Sequence, residues 1–305
     1  MDTEQEEMQF LGLFGVYRES SKIIVSCRKI FSQITLTLIL PLTFILLIHL
    51  QLSNMIISSE WATYWLLELT YITFLLIFSL LSTSAIVYTV ASIYTARDIT
   101  FRGVLSVVPR VWKRLMVTFL STFVALFIYN FVAFFVLVIL ALTGLRRSYA
   151  IPIMVVMGIF YIAGFVYLTV IWLLASVVTV LEDFYGFKAM MKSNELIKGK
   201  MGLSILIVLM LNVPSSLIYL LFNKLVVQGM KLGYVERTAY GILCLILLSH
   251  MLLFGLVIQS VLYFVCKSYH HQNIDKSALS DHLEVYHGEY EPLKAKGVQL
   301  EHYLV

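Results

Sequence analysis

The stretch Ile171–Lys200, IWLLASVVTVLEDFYGFKAMMKSNELIKGK, decides how the rest of the chain is read. An apolar helix runs out at Leu181, and an acidic turn, Glu182-Asp183, follows it. A short basic, amphipathic segment comes next and leads into another apolar run. The same order recurs from Ala91 to Leu115, ASIYTARDITFRGVLSVVPRVWKRL: an Ala-Ser pair, a Thr three residues on, an acid, an aromatic, then basic residues on an amphipathic segment. A third, weaker copy of the amphipathic part lies between Phe14 and Ile30.

The composition around these stretches is that of a membrane chain. Of 305 residues, 60% are hydrophobic and 13% charged, against about 25% charged in a soluble domain. Six apolar runs lie at 31–52, 64–95, 117–142, 151–181, 202–222 and 240–265. Each reaches the roughly 20 residues that a helix needs to cross hydrocarbon. The runs are continuous rather than alternating, which excludes barrel strands and leaves helices. The expected fold is all-α: an integral membrane six-helix bundle with amphipathic interfacial helices on its cytosolic face. Three parallel units, Phe14–Thr95, Phe101–Leu181 and Phe187–Val265, are expected to fill it. Residues 1–30 then form an acidic tip and amphipathic helix, 31–265 the span domain and 266–305 a polar tail.

Charge sets the expected orientation. Of 22 Lys and Arg residues, seventeen fall in the N-terminal segment, the 96–116 and 182–201 connections and the tail, and five in the alternate connections. That excess marks the cytosolic side, so both termini are expected there. The span lengths fit a plasma membrane or an endomembrane alike. The acidic opening MDTEQEEMQF is unlike a cleavable signal, which begins basic. Arg110, Lys113 and Arg114 in one basic connection, and Lys188, Lys192, Lys198 and Lys200 in the other, are candidate contacts for lipid headgroups. On the second span Ser82, Ala85, Thr89, Ser92 and Ala96 make a stripe of small residues suited to close helix packing. Pro41, Pro109 and Pro214 are expected to kink their helices.

Polar groups inside the runs are functional candidates by default. They are His49, Glu68, Asn130, Asn212, His250 and Gln259. His250, near the middle of the sixth run, either lines a solute path with Asn212 or bonds a neighbouring helix through Asn212 or Asn130. Glu68 lies near the outer surface, within reach of water. No carboxylate sits at mid-depth, which weighs against a proton- or sodium-coupled carrier. No nucleophile elbow, phosphate loop or dinucleotide fingerprint occurs, so no catalysis, cofactor or metal is expected. The tail residues His270, His271, Asp275, His282 and His287 lack a metal-ligand spacing, and Tyr290-Glu-Pro-Leu293 matches a short trafficking-adaptor pattern. Three cysteines are too few for a disulfide scaffold. Cys244 reads as packing, and the juxtamembrane Cys27 and Cys266 are candidate palmitoylation sites.

The blocks VIQSVLYFVCKSYHHQNIDKSALSDHLEVYHGEYEPLK, LLSTSAIVYTVASIYT and EEMQFLGLFGVYRES, with the opening stretch, resemble a plant-specific family of uncharacterised six-span membrane proteins. Some of its members carry the name "polyadenylate-binding protein 1-B-binding protein". The LEDFYGFKAMMKSNELIKGK block is also faintly similar to the membrane domain of bacterial glycerophosphodiester phosphodiesterases. That likeness implies a shared helical scaffold without the catalytic barrel. The expected role is non-catalytic: membrane organisation, lipid interaction or scaffolding of a partner. A transporter or channel for a small or lipophilic solute is the alternative. Expected partners are membrane lipids and a protein met through the tail, with no direct contact to nucleic acid.

Overall fold

The computed structural model describes residues 8–56, 61–95, 99–142, 147–229 and 233–270, apart from the side chains of 54–56, 61–63 and 147–150. Among the described residues every regular element is helical. Helix α1 covers Leu13–Ser26. The first span joins α2 (Arg28–Ile34), a π-helical turn (Thr35–Ile39) and α3 (Leu40–Ile56). Then come α4 (Trp61–Tyr94), α5 (Phe101–Leu142), α6 (Arg147–Leu181), the short α7 (Phe187–Ile197), α8 (Met201–Phe222) and α9 (Tyr234–Tyr269). Six stretches are long and apolar enough to cross a membrane: Arg28–Ser53, Tyr64–Tyr94, Phe101–Leu142, Ile151–Leu181, Met201–Val227 and Tyr234–Tyr269. They coincide with the six apolar runs.

The prolines act locally. Pro41 cannot donate to the carbonyl four residues back, and its ring crowds that carbonyl. The widened turn Thr35–Ile39 lies just before it and takes up the mismatch. Pro109 and Pro214 lie within α5 and α8, which run on as single helices through them.

The amphipathic segments differ from one another. Phe101–Leu115 is not a separate surface helix; it is the first part of α5, whose 42 residues would extend about 63 Å. The reason is that the segment buries Val104, Val107, Val108 and Val111 against the bundle, so no break is needed before the span begins. Helix α1 is separate but packs on α9, where the Tyr17 ring meets Phe254 edge-on at 5.4 Å. Its inward face is Val16, Ser20 and Ile23, while Phe14 is 86% exposed. Helix α7 is separate as well.

Burial is concentrated at one end, where α1 and α7 lie. There α4 from Ser82 to Ser92, α6 from Leu174 and α9 from Val257 present almost wholly buried residues. Ser82, Ala85, Thr89 and Ser92 are all enclosed, so the small-residue stripe is a packing surface; Ala96 lies outside the described residues. A hydroxyl pair, Thr43 to Ser249 at 2.9 Å, ties the first span to the last. Toward the other end α5 and α6 make a hairpin whose apolar side chains are bare: Phe123, Phe127, Phe131, Ile159 and Phe160 are more than half exposed.

Candidate functional site

The acidic turn after α6 is held by three side chains from two helices. Tyr263 donates its hydroxyl hydrogen to Glu182 Oε1 at 2.6 Å, and Lys267 Nζ donates to the same oxygen at 2.8 Å. Lys267 stands one helical turn beyond Tyr263 on α9, so Nζ also reaches the phenol oxygen, at 3.0 Å. Arg114 of α5 donates to the Glu182 carbonyl at 3.3 Å and to Asp183 Oδ1 at 3.0 Å. The two acids divide the work: the Glu182 side chain is 13% exposed, that of Asp183 81%. Below them Thr118 shares a 2.8 Å hydrogen bond with Thr179, and the Gly186 amide donates to Thr118 Oγ1 at 2.8 Å. Gly186 has φ +64°, and a Cβ there would stand 3.2 Å from Ser121 Oγ. Glycine therefore allows both the reversal into α7 and the close approach to α5.

Helix α7 is fastened along its length. Ser193 donates to the Ile171 carbonyl at 2.8 Å, and the His270 ring lies 3.1 Å from the Leu196 carbonyl. Lys200 lies over the Tyr269 ring at 5.1 Å. Ala189, Met190, Leu196 and Ile197 face the bundle. Phe187 and Met191, on the same short helix, are exposed beside Lys188.

One turn deeper than Tyr263 on α9 lies Gln259, on the wall of a cavity of about 330 Å³ between α4, α5, α6, α8 and α9. Phe119 of α5 and Trp172 of α6, in edge contact at 5.9 Å, line its hairpin side. Its walls are mostly apolar, and none of the residues lining it is charged. Ser176, Asn212 and Ser215 each donate to a carbonyl of their own helix, so they offer lone pairs to the space. Gln259 differs: it is 4% exposed and its Nε2 has no partner among the described residues. The site thus presents a few hydroxyl and amide groups on mostly apolar walls, and no charge. That chemistry accommodates a neutral, lipid-soluble molecule bearing a carbonyl or hydroxyl, and disfavours a charged one.

The other polar residues named from sequence are dispersed. Asn212 lines the cavity. His250 does not; it is exposed on α9 and lies 2.9 Å from the Ile246 carbonyl of its own helix, not against Asn212 or Asn130. Asn130 accepts from the Tyr161 hydroxyl at 2.8 Å and helps to stitch the hairpin. Glu68 pairs with His49 at 2.9 Å near the opposite end of the bundle. Cys266 is fully enclosed and Cys27 half-buried. Among the headgroup candidates Arg110, Lys113, Lys188 and Lys198 are exposed, while Lys192 and Lys200 are half-buried and Arg114 is engaged with the acidic turn. The tail residues His271, Asp275, His282, His287 and Tyr290–Leu293 lie outside the described residues. Sequence reasoning took the acidic turn as a landmark but missed its role as an anchor. The signal was available in part, because Tyr263 and Lys267 stand at helical spacing on one face.

Six spanning-length apolar helices place the chain in the class of all-helical membrane proteins. Within that class it belongs to the family described as a domain of unknown function, DUF8558, whose profile matches residues 1–59 and 55–303. No curated protein matches the chain, and no solved structure matches it.

Proposed function

We propose that the protein is a non-catalytic, lipid-interacting component of its membrane, with both termini in the cytosol and the anchored acidic turn at the cytosolic face. One observation carries this reading: the uncharged, mostly apolar cavity between five spans, lined by Asn212, Gly255 and Gln259. The bare α5–α6 hairpin beside the cavity gives lipid chains a lateral route to it. Helix α7 adds a second lipid contact, with Phe187 and Met191 exposed next to Lys188 in the pattern of an interfacial helix.

The test is mass spectrometry of the protein released from lipid discs. Gly255 lines the cavity, and a Cβ there would meet only Leu211 methyls, at 3.8 and 3.9 Å. Gly255→Phe therefore fills the space. The wild-type protein is expected to retain a neutral lipid that this variant and Gln259→Leu lose. Equal retention in all three would remove the reading.

The alternative, a carrier for a small lipophilic solute, draws on Asn212 and Gln259 facing one another's space across α8 and α9. Flux of such a solute in proteoliposomes, abolished by Gly255→Phe, would favour it over static lipid binding.

A further inference from the structure

A second hollow lies at the opposite end of the molecule from the acidic turn. It is a groove of about 640 Å³ between α3, the end of α8 and the start of α9. Phe44, Leu47, Ile48 and Gln51 supply one wall. Arg237, Gly241 and Leu245, at successive turns of α9, supply the facing one. The eight residue steps from Arg237 to Leu245 span about 12 Å along the helix axis. Leu245 and Phe44 mark the deep, apolar end; Arg237 and Gln51 mark the shallow end near the helix termini.

Arg237 is the single charged group on the lining. It is half-buried, and no carboxylate among the described residues pairs with it. Gln51 Oε1 is buried without a donor among the described residues. Gly241, at the centre of the α9 wall, leaves the groove open: a Cβ there would meet only Val226 methyls, at 3.9 and 4.0 Å. A lone cation at the rim, beside an apolar trough that Gly241 leaves open, has the shape of a site for an amphiphile with an anionic head. Arg237 is also one of the five cations on the side that the charge bias leaves sparse.

We propose that this groove binds an anionic phospholipid of the leaflet at that end. Arg237 would hold the phosphate, and an acyl chain would lie along Gly241 toward Leu245. The site is separate from the five-span cavity and does not rest on the reading given to it.

The experiment uses the full chain in discs of equal phosphatidylglycerol and phosphatidylcholine, with bound lipid counted by native mass spectrometry. The wild-type protein should retain phosphatidylglycerol preferentially. Arg237→Gln should lower that preference about five-fold, the contribution of one Arg at an anionic surface, and Arg237→Lys should restore most of it. Gly241→Phe should expel the lipid whatever its head. Gly255→Phe, in the central cavity, should leave phosphatidylglycerol retention unchanged. Equal retention of the two lipids by the wild type, or an unchanged preference in Arg237→Gln, overturns the proposal. So does release as a dimer in which the groove is covered by a second copy.

Discussion

Glu182 is the residue on which most of the chemistry of the acidic turn converges. Its carboxylate accepts from Tyr263 and Lys267, and its carbonyl accepts from Arg114. The pair with Lys267 is partly enclosed, at 13% and 20% side-chain exposure, so solvent screening reduces it less than a surface pair. Glu182→Gln is expected to destabilise the protein by about 1.5–3 kcal/mol, the range for a hydrogen bond to a charged group. It leaves the Lys267 charge without its counter-ion. Glu182→Gln combined with Lys267→Met should recover part of that loss. Unfolding midpoints of the two single variants and the double variant in one detergent check this. Strictly additive losses would show that the two residues act independently. Glu182 was legible in sequence as an acid where an apolar run ends. Its partners were not, because hydrogen-bond donors 81 and 85 positions away cannot be ranked by local pattern.

At the scale of elements, α7 shows how far an amphipathic pattern can be read. Its helix and its basic character follow from spacing alone. Which side faces protein does not, because Met190 and Met191 are equally apolar and only one is buried. Replacing Lys188, Lys192, Lys198 and Lys200 with Gln should weaken binding of the Phe187–Lys200 segment to anionic vesicles. The loss is about 1 kcal/mol for each Lys that reaches the surface, and it should vanish in high salt. Lys188 and Lys198 should account for most of the effect in the whole protein, since Lys192 is half-buried and Lys200 lies on Tyr269. Unchanged binding in low salt would remove α7 as a headgroup contact. Helix α5 teaches the complementary lesson. Its first turns carry the same kind of pattern, yet they pack continuously with the span because valines fill their inner face.

For the molecule as a whole, the cysteines report both packing and orientation. Cys27 is half-buried and Cys266 enclosed, and both lie at the end of the bundle where α1 and α7 pack. A membrane-impermeant maleimide applied from the cytosolic side should label Cys27 and spare Cys266. Applied from the other side, it should label neither. Labelling of Cys27 only from the non-cytosolic side would reverse the proposed orientation. The same packing bears on lipidation: an acyl chain on Cys27 can be added to the folded protein, whereas one on Cys266 requires the end of α9 to open.

What the sequence by itself determined is the class and the count. Six long apolar runs must be helices because hydrocarbon satisfies no backbone group, and that holds whatever surrounds them. The asymmetry of Lys and Arg is likewise a property of the linear chain. What only the tertiary structure decided is which faces meet. Inside lipid one apolar face resembles another, so helix pairing turns on small residues, close packing and a few hydrogen bonds between distant positions. The Glu182 anchor, the cavity beside Gln259 and the groove below Arg237 are all products of that pairing. His250, the most conspicuous polar residue in the linear chain, was left outside all three because its helix turned it outward.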